Sequence, residues 1–132
     1  MGTVGYLLDT HTFLWAVREG QELSNNARNA IENSEAQLFV SAISVYEITN
    51  KYRIDKLPGY SYVVENYIDI LSHLGADELL VSSRHAHFAG KFEWSHRDPF
   101  DRLLAAQAFI EKLTLIANDA ALCSLPWITT LW

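Results

Sequence analysis

The 132-residue sequence is short of several things, and each shortage removes a class of protein. Cys123 is its only cysteine, so an internal disulfide and any CxxC zinc or redox motif are excluded, and a reducing, cytoplasmic setting is expected. No apolar run approaches the roughly 20 residues that cross a bilayer, so no membrane association is expected. The start, "MGTVGYLLD", has no basic stretch before its apolar residues and reads as lacking a signal peptide. No GxSxG elbow is present, which disfavours a Ser–His–Asp hydrolase. Without GxxxxGK[ST] or GxGxxG, nucleotide-cofactor chemistry has no support. Basic residues are also scarce: 10 Lys and Arg stand against 16 Asp and Glu, for a net charge of −6. That balance argues against nucleic-acid binding through bulk attraction. The argument weakens if carboxylates converge on a divalent cation, because the ion then helps set the local field.

What is present is the patterning of one α/β domain over residues 1–132. Strands are predicted at "VGYLL" (4–8), "QLFVS" (37–41), "LLVS" (79–82) and "LTLIA" (113–117), with "WITTLW" (127–132) as a candidate fifth. The first and fourth are nearly continuous in apolar residues, as expected of strands covered on both faces. Helical spacing marks 10–18, 43–54 and 62–74, and the segment from Pro99 to Ile110 is apolar almost all round. "LPGYS" (57–61) is a break and "GKFEWSH" (90–96) a loop. Strands alternating with helices imply right-handed crossovers, hence a three-layer α/β/α sandwich around a mostly parallel sheet of four to five strands.

The acids fall at telling places. Asp9 follows the first strand directly, Asp119 comes two residues after "LTLIA", and Glu47 lies in the opening turns of the helix after the second strand. Ligand sites in open parallel sheets form outside the carboxyl ends of the strands. Asp101 joins this edge if its helix starts there. Each acid also has a capping role open to it. Asp98-Pro99-Phe100-Asp101 reads as N-cap, N1 and N3 of a helix, "SVYE" (44–47) matches a capping box, and Asp9 and Asp119 each precede a helical stretch. Caps on separate helices need not face one another, whereas a metal site demands it. Four anions brought together would suffer raised pKa values, which a hard cation taking oxygen ligands relieves. Asp98 is assigned to capping, because Pro99 fixes it as the residue entering the helix.

"LLDTHTFLW" (7–15), "SAISVYEI" (41–48), "HRDPFDRLLAAQA" (96–108) and "IANDAAL" (116–122) together resemble the PIN domain. More narrowly they are similar to the VapC-like ribonuclease toxins of bacterial toxin–antitoxin pairs. The resemblance runs in order along essentially the whole chain. It implies a three-layer fold, metal-dependent RNA cleavage, acidic ligands at Asp9, Glu47 and Asp101, and Asp119 as a fourth, more variable acid. Thr10 matches the small hydroxyl residue that often follows the first acid, and Asn50 lies one turn beyond Glu47 at the expected rim. Ala117 departs from the pattern, since relatives often carry Thr or Ser there.

On this reading Mg²⁺ or Mn²⁺ is the cofactor, bound directly by Asp9 and Asp101, with Glu47 binding the ion or orienting the water and Asp119 assisting. Lys51 and Arg102 are the basic residues best placed for substrate phosphates. RNA, a cognate antitoxin and a second copy of the chain are the implied partners. Rival readings are an inactive PIN-like module that binds RNA or protein, and an aspartyl-phosphate phosphotransferase using Asp9. The latter would want a second acid near Asp9, and "DTHTF" offers none. A zinc site through His85, His87 and His96 lacks the usual tight ligand spacing; His11 and His96 adjoin the acids and read as partly buried neutral side chains.

Overall fold

In a computed structural model, which describes residues 4–132, the strands are β1 (Gly5–Leu8), β2 (Gln37–Ser41), β3 (Ala76–Leu79), β4 (Thr114–Ile116) and β5 (Thr130–Leu131). They form one sheet in the order β3-β2-β1-β4-β5, and every pairing is parallel. The helices are α1 (Thr10–Val17), α2 (Asn25–Glu32), α3 (Ala42–Arg53), α4 (Ser61–Leu74), α5 (Ser83–Lys91), α6 (Pro99–Ile110) and α7 (Ala120–Cys123). The first three residues of the predicted leaderless start lie outside the described residues. No helix among the described residues is long and apolar enough to cross a membrane.

Successive side chains of a strand face opposite ways, and here that alternation divides the core in two. Leu8, Val40 and Ile116 pack on one face with Phe13, Leu14, Val63 and Leu71 from α1 and α4. Leu7 and Leu115 pack on the other with Leu104, Ala105 and Ala108 of α6. The register aligns the faces: Leu7 pairs with Phe39 and Leu115, and Leu8 with Val40 and Ile116. Leu7 and Leu115 are fully buried, so truncating either to Ala should cost about 2–5 kcal/mol. The helical layers follow from this division.

From β1 the chain builds outward through β2 to β3, then returns across the sheet to lay β4 on the other flank of β1. The carboxyl ends of β1 and β4 therefore flank the topological switch point, where open α/β sheets form their ligand crevice. Asp9 N donates to Ile116 O at 3.2 Å and Thr12 Oγ1 to the same carbonyl at 2.9 Å, tying the two strand exits together.

Two expectations are corrected, and one helix is present where none was expected. The strand predicted at 79–82 is Ala76–Leu79, because β3 is an edge strand whose Asp77 and Glu78 face solvent. Leu80 beyond it is 68% exposed, so the apolar run marked the chain leaving the sheet. α2 escaped notice because its buried face is mainly the two small residues Ala27 and Ala30. α5 takes up Gly90 and Lys91 from the expected loop. It starts at a capping box in which His85, in place of the usual Glu or Gln, answers Ser82.

Candidate active site

Asp9 leaves β1 as the N-cap of α1, its Oδ1 accepting from Thr12 N at 2.7 Å. Asp119 caps α7 through Oδ1, which accepts from Leu122 N at 3.0 Å. Asp98 caps α6, with Oδ1 accepting from Phe100 N at 2.9 Å and Asp101 N at 3.4 Å, and Pro99 follows at the position where its missing N–H costs nothing. Each cap uses one carboxylate oxygen and leaves the other for a further partner. Capping and ligand binding are therefore compatible at the same residue.

Glu47 reaches the site differently. Ser41, not Ser44, caps α3, so the capping box expected at 44–47 does not form. Glu47 sits in the second helical turn and is only 6% exposed. Its Oε1 accepts from Thr10 Oγ1 at 2.6 Å, and its Oε2 accepts from Lys51 Nζ at 2.5 Å. Thr10 Oγ1 also lies 3.0 Å from the buried Ser44 hydroxyl. Since Thr10 has one proton and spends it on Glu47, Ser44 donates to Thr10. Both oxygens of Glu47 are thereby fixed in direction.

Asp9, Glu47, Asp98, Asp101 and Asp119 line one small cleft of about 90 Å³, together with Thr10, His11 and Lys51. Its electrostatics are those of crowded anions. Burial raises the pKa of Asp9; hydrogen bonds from Thr12 and the charge of His11 oppose this, and Asp119 adds to it. Burial likewise pushes Asp101 up to about 6, against the hydrogen bond from His96 and with repulsion from Asp98 and Asp119. His96 Nε2 lies 2.6 Å from Asp101 Oδ2. Among the described residues, His96, Asp98 and Asp101 form the group whose ligand atoms all lie within 4.8 Å of one another. Five carboxylates with one lysine between them make a hard, oxygen-rich donor set that lacks counter-charge, and this fits a divalent cation of the magnesium or manganese type.

Two expected substrate residues stand elsewhere. Arg102 donates to the carbonyls of Ala89 (2.9 Å), Phe92 (2.5 Å), Trp94 (3.2 Å) and His96 (3.2 Å), and its guanidinium lies 4.3 Å from the centroid of the Phe92 ring. A guanidinium so engaged clamps the 92–96 loop onto α6 and has little left for a phosphate. Asn50 is outside the acidic cleft, in a neighbouring surface depression, with Oδ1 accepting from Arg53 Nη2 at 2.7 Å. The contact of His96 with Asp101 and the presence of Asp98 in the cleft exceed the roles the sequence suggested. The five-residue spacing of His96 and Asp101 across a proline gave no periodic signal. The i,i+4 spacing of Glu47 and Lys51 was a legible one.

A sequence model described as the PIN domain matches residues 6–128. No curated protein sequence matches the chain. Among solved structures, it is similar to DNA-bound VapBC from Salmonella typhimurium at 17% identity and a TM-score of 0.68, covering 97% of each chain. A toxin–antitoxin complex from Klebsiella pneumoniae is similar at 16% identity and a TM-score of 0.66, with 96% of each chain covered. FitAcB from Neisseria gonorrhoeae gives 17% identity, a TM-score of 0.64 and 96% coverage of each.

Proposed function

Because the chain belongs to the PIN domain family, we propose that it is a Mg²⁺- or Mn²⁺-dependent endoribonuclease acting as the toxin of a VapBC-type pair. The observation that carries this reading is the convergence of five carboxylates from separate elements on one cleft at the carboxyl edge of the sheet. Asp9 and Asp101 would hold the ion, with Glu47 and Asp119 completing the set. When bound, the ion supplies a water ionised near neutral pH and neutralises charge on the phosphoryl oxygens.

The chain's own residues do the rest. Thr10 and Lys51 fix both oxygens of Glu47, so the carboxylate is directed before substrate arrives. The backbone N–H of Thr12 holds Asp9, and His96 holds Asp101. Such preorganisation spares the cost of orienting groups during the reaction. Lys51, 32% exposed at its side chain, stands where a phosphate would enter and is the basic residue of the cleft.

A solved structure of this fold is a toxin–antitoxin complex, which supports an antitoxin partner; a cytoplasmic setting belongs to the same reading. A second copy of the chain belongs to the same reading, and sedimentation tests it. The decisive experiment is cleavage of single-stranded RNA by the purified protein with Mg²⁺, with EDTA, and by the Asp9→Asn variant. Cleavage with Mg²⁺ alone is expected. Equal cleavage by Asp9→Asn would end the proposal.

A further inference from the structure

Beside the acidic cleft lies an aromatic shelf that the acids do not explain. Tyr46 immediately precedes Glu47 on α3 and is 60% exposed, while Phe100 immediately precedes Asp101 on α6. Their ring centroids are 5.9 Å apart with planes tilted by 39°, so the pair bridges the two helices that deliver Glu47 and Asp101. Tyr46, Asn50 and Arg53 follow one another at i, i+4 and i+7 on a single helical face. With Thr49 they border a depression of about 220 Å³. Asn50 spends only Oδ1, on Arg53, which leaves its amide N–H groups to donate outward. Arg53 is exposed and keeps further N–H donors.

We propose that Tyr46, backed by Phe100, is a stacking platform for one unpaired RNA base next to the scissile phosphate. Asn50 faces the base edge and Arg53 the neighbouring phosphate. The inference rests on the ribonuclease reading and deepens it. Single-stranded RNA is recognised by stacking splayed bases on aromatic rings, with cations tracking the backbone. A cleft of five carboxylates repels phosphates, so positive and apolar contacts are needed at its border, and Arg53 and Lys51 supply the former.

The test measures anisotropy of a fluorescein-labelled single-stranded oligoribonucleotide with EDTA present, then single-turnover cleavage with Mg²⁺, for the wild type, Tyr46→Ala and Tyr46→Phe. Stacking of one base corresponds to about a tenfold loss of affinity for Tyr46→Ala, with Tyr46→Phe close to wild type. KM should rise with kcat nearly unchanged, and an abasic nucleotide beside the cleaved bond should erase the difference between variants. Tyr46→Ala binding RNA as tightly as wild type overturns the platform, as does a change in sedimentation without any change in RNA affinity. Absence of RNA binding by the wild type also overturns it. If the wild type binds RNA through Tyr46 but cleaves none, the platform stands and the nuclease reading fails.

Discussion

Arg102 Nη1 donates to the carbonyl of His96 at 3.2 Å, and His96 in turn places Nε2 2.6 Å from Asp101 Oδ2. An arginine that looks like a phosphate ligand in the sequence is thus a backbone clamp that sets a histidine against an acid. Four carbonyls share its guanidinium, and a lysine ammonium cannot reproduce that fork. Arg102→Lys is expected to destabilise the protein by about 2 kcal/mol, within the range for hydrogen bonds to charged groups. Hydrogen exchange should accelerate across residues 92–96 first. Unchanged protection there would show that the loop does not depend on the clamp.

The caps make a distinction that substitution can read. Asparagine keeps the Oδ1 acceptor, whereas alanine removes it. Asp9→Asn should keep or raise the melting temperature while abolishing cleavage, since it relieves a buried charge and retains the bond to Thr12 N. Asp9→Ala should abolish cleavage and also lose about 1 kcal/mol of stability through the missing cap. Paired calorimetric melts and cleavage assays separate the two losses.

Asp101, pushed up to about 6 from 3.8, binds its proton more tightly folded than unfolded. Its contribution to stability is therefore fully present below pH 3.8 and is lost as pH rises through about 6. In EDTA, the stability difference between wild type and Asp101→Asn should change between pH 4 and 7 by on the order of 2 kcal/mol, with the wild type losing ground as pH rises. A pH-independent difference in urea-melt midpoints would contradict the shift.

Thr10→Val removes the proton donated to Glu47 while keeping the shape of the side chain. It should cost about 1–3 kcal/mol, because a buried acceptor on Glu47 and the buried hydroxyl donor of Ser44 are each left short of a partner. Cleavage should fall at least tenfold. Ser44→Ala leaves the bond from Thr10 to Glu47 intact and should reduce cleavage much less. Equal losses in the two variants would detach Thr10 from Glu47.

Adding Mg²⁺ or Mn²⁺ should raise the melting temperature in proportion to the logarithm of its concentration above the dissociation constant. The rise should vanish in Asp9→Asn and Asp101→Asn. Insensitivity of the wild-type melt to both ions would remove the cation from the site.

Much of this was legible in the sequence, and the exceptions have identifiable causes. β2 was readable residue for residue because its apolar run is bounded by the polar residues that end it. α6 was equally clear, from Asp98 and Pro99 at its start to its run of alanines. Asp9, Glu47 and Asp119 stood out by their positions after strands, Asp101 by its place in the first turn of α6 and by the resemblance, and all four line one cleft. Edge strand β3 and the small-faced helix α2 were misplaced or missed because neither buries enough apolar surface to print a period. Arg102, His96 and Asn50 were illegible for another reason. Arg102 and His96 meet partners only 5–13 residues away through the 92–98 loop, whose path linear spacing does not encode, and Asn50 turns away from the cleft to Arg53 on its own helix.

The strand order carries a consequence for synthesis. β1 sits between β2 and β4, so its second hydrogen-bonding edge stays bare until residues 114–116 are made. Asp119 and the two N–H···O and O–H···O ties to Ile116 arrive with that same strand. A chain growing from its N-terminus thus holds Asp9 and Glu47 without Asp119 until β4 has been made. The acidic cleft is complete only once residues 114–119 have emerged and β4 has joined the sheet.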